Sequence, residues 1–328
     1  WGRPLQSVFI GGGTPSLFTP ESIDRLLAAI RARAPLRPAC EITLEANPGT
    51  FEKDRFIAFR QAGVTRLSIG VQSFNDNLLQ SIGRVHNASQ AHAAVREAAR
   101  AFDTFNLDLM YALPAQDMAQ LQADLRMALD YAPPHLSYYH LTIESGTRFA
   151  RHPPPLPDAD TAWDMLDALT AQTAAAGMAR YEVSAFARAG HACQHNLNYW
   201  RFGDYLGIGA GAHGKLSFAH RIIRQVRYRH PQLYMQRASA GHAVAQEREI
   251  ARRDLPFEFM LNALRLREGF EQSDFTERTG LPLSSIASAL EKAEQNQWLT
   301  RAGQRIAPTA RGFDILSDLQ SLFLPEDA

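Results

Sequence analysis

Along this 328-residue chain, polar features recur where short apolar runs end. They are the run Gly11-Gly12-Gly13-Thr14-Pro15 after Ile10, Glu45 after Leu44, Gln72 after Val71, and Asp108 inside the run Leu107 to Tyr111. Three consecutive glycines leave backbone N–H and C=O groups open, so a small zwitterion or a phosphate could lie against a strand end. Taken alone, the run suits a tight turn equally well, and it lacks the Lys-Ser/Thr ending of a P-loop. Each polar residue singly fits a loop entrance, but together they offer acceptors to one shared ligand. Gly209-x-Gly211-x-x-Gly214 has the spacing of a dinucleotide fingerprint, yet Lys215 to Arg227 after it reads as extended where that fingerprint needs a helix. Cys40 and Cys193 are the only cysteines, too few for a disulfide framework, a four-thiolate zinc site or a complete iron–sulfur ligand set. Cys40, just before a strand, reads as a buried thiol.

Those positions must be held by alternating strands and helices. Runs rich in β-branched residues predict strands at Ser7–Ile10, Glu41–Leu44, Arg66–Val71, Thr104–Met110, Leu136–Thr142 and Tyr181–Phe186. Between them fall amphipathic stretches. Thr19 caps one with Pro20 at its first position, a second carries Phe56, Ile57 and Phe59 and ends at Gly63, and others cover Ala88–Ala101, Met118–Tyr131 and Asp158–Ala176. Such βα repetition builds a parallel sheet, and in a barrel of this kind the strand C-termini form the site. Six strands where eight close a barrel predict an α/β fold of partial (β/α) TIM type. His152–Pro157 is a stiff connection. After Gln246, helices at Pro256–Leu266, Gln272–Arg278 and Leu283–Asn296, strands Trp298–Arg301 and Arg305–Ala307, and a last helix to Phe323 predict a small winged-helix-like domain. The expected domains are therefore 1–250, the barrel with its extension, and 251–328.

Thirty-four Lys and Arg balance 34 Asp and Glu, so no overall field draws the chain to nucleic acid or an anionic membrane. The C-terminal stretch from Asp254 carries seven basic residues against 12 acidic ones, which argues against DNA binding through the winged helix. No apolar run reaches the roughly 18 residues of a membrane span. A peripheral membrane contact has no readable signature. Two cysteines and no signal-like segment predict a reducing, cytoplasmic setting.

The phrases Phe9-Ile10-Gly11-Gly12-Gly13-Thr14-Pro15-Ser16, Leu44-Glu45-Ala46-Asn47-Pro48, Ser68-Ile69-Gly70-Val71-Gln72-Ser73-Phe74, Gly83-Arg84-x-His86 and Asn106-Leu107-Asp108-Leu109-Met110-Tyr111-x-Leu113-Pro114 stand in one order and spacing. Together they resemble the radical S-adenosylmethionine family that contains oxygen-independent coproporphyrinogen III oxidase and the haem chaperones of the HemW type, over nearly the whole chain. The resemblance implies a partial barrel holding a [4Fe-4S] cluster and S-adenosylmethionine. It implies that Gly12, Gly13 and Thr14 receive the cofactor's amino end and Arg84 its carboxylate. Glu45, Gln72 and Asp108 would hold its polar and ribose parts, and Tyr111 and Ala112 would present backbone to the adenine. The family's C-x3-C-x2-C cluster motif does not occur here, which places the expected cluster ligands, with the first βα unit, before Trp1. His195-Asn196-Leu197-Asn198-Tyr199-Trp200 is similar to the chaperones rather than the oxidase. It implies haem binding through His195, with Tyr199 and Trp200 stacking on the porphyrin or packing in the core, and delivery of haem to acceptor proteins. An enzyme of the coproporphyrinogen III dehydrogenase type is the alternative, and a winged-helix nucleic-acid binder ranks below both.

Overall fold

The computed structural model describes residues 2–50 and 54–325. They fall into two compact units divided between His195 and Asn196, inside one short helix.

The first unit is a seven-stranded sheet with helical crossovers. Strands β1 (Leu5–Ile10), β2 (Leu36–Ala46), β3 (Arg66–Gln72), β4 (Phe105–Tyr111) and β5 (His135–His140) lie side by side in chain order, all parallel. The short β6 (Ala179–Arg180) and β7 (Ala185–Ala187) close the edge antiparallel, in the order β5-β7-β6. Sequential parallel strands joined by helices form the open part of a (β/α) barrel, as expected. The single strand expected over Tyr181–Phe186 is instead divided. Arg180 donates twice to the Val183 carbonyl, at 3.2 and 2.7 Å, and Glu182 accepts the Ser184 N–H, so the chain bends between the two short strands.

The crossover helices are α1 (Pro20–Arg31), α2 (Arg55–Gln61), α3 (Asp76–Ser81), α4 (Ala88–Ala101), α5 (Met118–Asp130), α6 (Arg148–Arg151) and α7 (Ala159–Ala175). Side chains set most of their starts. Thr19 accepts the Ser22 N–H ahead of α1, Asn87 with Gln90 and Asp117 with Gln120 form capping boxes, and Asp158 accepts the Thr161 N–H. Strand alternation then divides the sheet into two faces of different chemistry. Leu44, Leu67, Ile69, Leu107, Leu109 and Leu136 are fully buried in one cluster with Leu27, Phe59, Val95, Leu125 and Leu169 from the helices. The alternate positions, Thr43, Ser68, Asn106, His135 and Ser137, are buried yet polar. This second, inner face is where a ligand can be met.

In the second unit α8 (Gln194–Trp200), which straddles the division, leads to an antiparallel sheet of β8 (His213–Ser217), β9 (Ile222–Arg227) and β10 (Val244–Glu249), with α9 (Pro231–Ser239) between the last two strands. Lys215 is buried here. Its Nζ donates to the Phe202 carbonyl at 2.9 Å and to Asp204 at 3.2 Å, and burial pushes its pKa down to about 8. The three-helix and hairpin module follows: α10 (Leu255–Ala263), β11 (Phe270–Glu271), α11 (Gln272–Thr279), α12 (Ala287–Gln295), β12 (Leu299–Ala302) and β13 (Arg305–Pro308), then α13 (Ala310–Asp314) and α14 (Leu316–Ser321). Phe259 lies edge-on to Phe202, Phe270 and Phe275 at its centre. The helix expected over Leu283–Asn296 begins as a 3₁₀ turn, and the last helix is broken at Ile315, whose ψ of 42° leaves the helical region. Residues 196–250, grouped with the barrel in the sequence, cluster with these C-terminal helices.

Candidate functional site

At the C-terminal edge of β1 the chain turns through Gly11, Gly12 and Gly13. A Cβ on Gly11 would lie 2.6 Å from the Phe9 ring, and Gly12 and Gly13 take φ of +82° and +55° with open space where their Cβ atoms would be. Glycine is the residue that adopts this path cheaply, and the result is a backbone cradle free of side chains. Glu45, near the end of β2, faces it and accepts the Gly12 N–H at 2.9 Å. Gln72 closes β3 at φ +65° after a register shift against β4, and Ala112 just beyond β4 has φ +55°. Left-handed backbone at two non-glycine residues costs of order 1–3 kcal/mol each and collects at sites that use the geometry. Asp124 of α5 holds the turn after Gln72 by accepting the Ser73 hydroxyl at 2.6 Å and the Phe74 N–H at 2.8 Å, while burial pushes its pKa up to about 6.

Asp108 anchors a polar network on the inner face. Ser68 Oγ donates to it at 2.8 Å, and Asn106 Nδ2 donates both to it and to Ser68. Burial raises the Asp108 carboxyl above its usual range against these two stabilising bonds. Burial lowers the pKa of the Arg84 guanidinium, and the charge of Asp108 opposes that shift. Tyr111 is buried, which raises its phenol. Thus Gly12, Gly13, Thr14, Glu45, Gln72, Asp108, Tyr111 and Ala112 stand at or near the C-terminal ends of β1 to β4, and Arg84, beyond α3, feels the charge of Asp108.

The network runs on toward β6 and β7. His135 Nδ1–H donates to Asn106 Oδ1 at 2.6 Å, its Nε2 accepts the Tyr181 hydroxyl at 2.9 Å, and Tyr181 accepts the Cys193 N–H at 3.3 Å. Burial holds His135 neutral. Glu41 of β2 then receives the first turn of α8, accepting from Cys193 Sγ (3.4 Å), Gln194 N (3.2 Å) and His195 N (3.1 Å). The His195 ring stacks on Phe9 with centroids 4.4 Å apart, and burial pushes its pKa down to about 4, so it is neutral at ordinary pH. Tyr199 packs edge-on to Tyr205 at 4.5 Å, and burial lifts its phenol to about 12. Trp200 lies under the Arg265 guanidinium at 4.2 Å and lines a cavity of about 260 Å³ with Phe259, Phe270 and Arg305. Those contacts are the packing alternative for both aromatics.

The sequence reading missed Glu41, Arg66, His135 and Asp124. Glu41 and Arg66 carry a local signal, a charge opening an otherwise apolar predicted strand. His135 and Asp124 owe their roles to partners distant in sequence. Cys40 is buried, as expected, and burial raises its thiol pKa. Cys40 and Cys193 do not make the three-thiolate set that a [4Fe-4S] cluster takes, and no group of three His, Cys, Asp or Glu able to hold a metal occurs among the described residues.

The first four strands, with the glycine cradle and the polar inner face, lie in the stretch that places the chain among the radical S-adenosylmethionine proteins. The Radical SAM superfamily profile matches residues 1–128, and the HemN C-terminal domain profile matches 250–315. The chain belongs to the heme chaperone HemW family. It is 46% identical over 327 residues to Heme chaperone HemW of Escherichia coli K12, covering 99% of this chain and 85% of that one. The Haemophilus influenzae heme chaperone HemW is 45% identical, covering 99% and 84%. At 35% identity, the Mycobacterium tuberculosis heme chaperone covers 94% and 78%. Among solved structures, coproporphyrinogen III oxidase (HemN) from Escherichia coli superposes with a TM-score of 0.81 at 21% identity, over 98% of this chain and 78% of that one, a likeness of fold.

Proposed function

We propose that the chain binds S-adenosylmethionine at the β1–β4 strand ends, binds haem through His195, and passes the haem to acceptor proteins. The relatives named heme chaperones support the activity. The observation that carries the haem assignment is the placement of His195: its ring stacks on Phe9 of the inner face, and Glu41 of β2 accepts its backbone N–H. Burial pushes the pKa of that imidazole down to about 4. A neutral imidazole is the form that ligates iron. S-adenosylmethionine fits the cradle: Gly12, Gly13 and Thr14 offer open backbone to its amino end, Glu45 a carboxylate, Gln72 and Asp108 polar groups, and Arg84 a cation for its carboxylate. Tyr111 and Ala112 would line the adenine. When bound beside an iron–sulfur cluster, this cofactor supplies radical chemistry. The two cysteines present do not complete the ligand set of such a cluster. The second reading, oxidation of coproporphyrinogen III, has the fold likeness to its credit.

Haemin titration tests the assignment. The parent should give a shifted Soret band that saturates near one haemin per chain. His195→Ala should weaken or reshape it, while His213→Ala, at the exposed first residue of β8, should not. Because the His195 pKa is depressed from 6.5 to about 4, protons compete with iron below pH 5, and affinity should be flat from pH 8 to 5. A folded His195→Ala, checked by its circular-dichroism melt, that binds like the parent overturns the reading.

A further inference from the structure

Arg66 opens β3 on the inner face, paired in register with Thr43, and is 2% exposed. A buried guanidinium stays charged, so it needs acceptors around it. Among the described residues it finds few. Its Nε has no hydrogen-bond partner, and the carboxylate in ion-pair range, Glu41, is 3.9 Å away, beyond hydrogen-bond reach. Both oxygens of that carboxylate are already committed to the first turn of α8. The other groups that feel the charge of Arg66 are His135, Tyr181, Asp108 and His195. The first two bond to one another as neutral groups, and Asp108 already accepts from Ser68 and Asn106. The inner face therefore holds a cation whose acceptors are missing, in the same surroundings as His195.

We propose that Arg66 recognises a carboxylate of the ligand, a porphyrin propionate, while His195 takes the iron. This rests on the haem reading and adds to it the part of the porphyrin that the barrel reads. An Arg fork matches a carboxylate in two parallel hydrogen bonds, and a buried arginine with an open acceptor requirement favours that match over solvent. Removing the negative charge from the ligand should thus cost as much as removing the cation from the protein.

The test uses the whole chain and two probes, haemin and haemin dimethyl ester, delivered in the same fraction of dimethyl sulfoxide and followed by visible absorbance. The parent should bind haemin at least about tenfold more tightly than the diester. Arg66→Gln should bring haemin down to the diester's affinity and leave the diester within about twofold of its parent value, whereas Arg66→Lys should recover part of the preference. His195→Ala should alter the spectrum with both probes and keep the preference for haemin. If Arg66→Gln fails to fold, the parent's ratio and the Lys variant decide. Equal affinity of the parent for the two probes, or an Arg66→Gln that weakens both alike, overturns the assignment and leaves the haem reading standing. If the parent takes up neither probe, the haem reading falls, and the role of Arg66 with it.

Discussion

Replacing Glu41 by alanine should release the start of α8 from the sheet. Its side chain, 11% exposed, accepts two backbone N–H groups and a thiol from residues 193–195, and it lies 3.9 Å from the buried Arg66. Loss of a cap costs about 0.5–2 kcal/mol, and breaking a buried ion pair by removing one partner costs about 3–5 kcal/mol where contact is close. The 3.9 Å separation reduces the second effect, so about 3 kcal/mol is expected for Glu41→Ala. Glu41→Gln keeps the shape and one acceptor oxygen, and about 1 kcal/mol follows. Amide hydrogen exchange is the suitable assay, because a chain of two units need not unfold in one step and exchange reports each opening locally. The Gln194 and His195 amides should exchange roughly a hundredfold faster in Glu41→Ala and roughly five- to tenfold faster in Glu41→Gln, with amides of β4 unchanged. Exchange of both amides within about threefold of the parent in Glu41→Ala would show that this carboxylate does not hold the helix.

Asp124 has a folded pKa of about 6 against an ordinary 3.8. A carboxyl raised by folding favours the protonated native state, so its stabilisation is complete below about pH 4 and is lost as pH rises through 6, about 3 kcal/mol in all. Asp124→Asn should abolish that part of the slope in melting temperature between pH 4 and 6.5, and a slope identical to the parent's would refute it. Anaerobic reconstitution of this chain with iron and sulfide should leave no stoichiometric [4Fe-4S] cluster, because Cys40 and Cys193 offer two thiolates; about four irons per chain would contradict this. The stretch from Asp254 carries seven basic against 12 acidic residues, so we expect no salt-sensitive binding of a random DNA duplex, checked by fluorescence anisotropy.

Much of the architecture was legible because it depends on local periodicity. Alternation in Ile42–Ala46, Arg66–Val71 and Phe105–Leu109 marks both the strands and their two faces, and Thr19, Asn87, Asp117 and Asp158 mark helix starts by chemistry confined to four residues. The candidate cofactor positions were legible for the same reason. A parallel sheet brings its strand ends to one edge, so Gly12, Glu45, Gln72 and Asp108 meet wherever the strands do. Only the tertiary structure could decide the rest. Glu41 and His195 are 154 positions apart, and Glu41 becomes a helix cap because β2 runs past the start of α8. Arg66 is a charge in a strand until the fold buries it on the inner face with no hydrogen-bond acceptor for its Nε among the described residues. Burial moves the His195 pKa to about 4 and that of Asp124 to about 6. Desolvation depends on what surrounds a side chain in space, and no spacing along the chain encodes it.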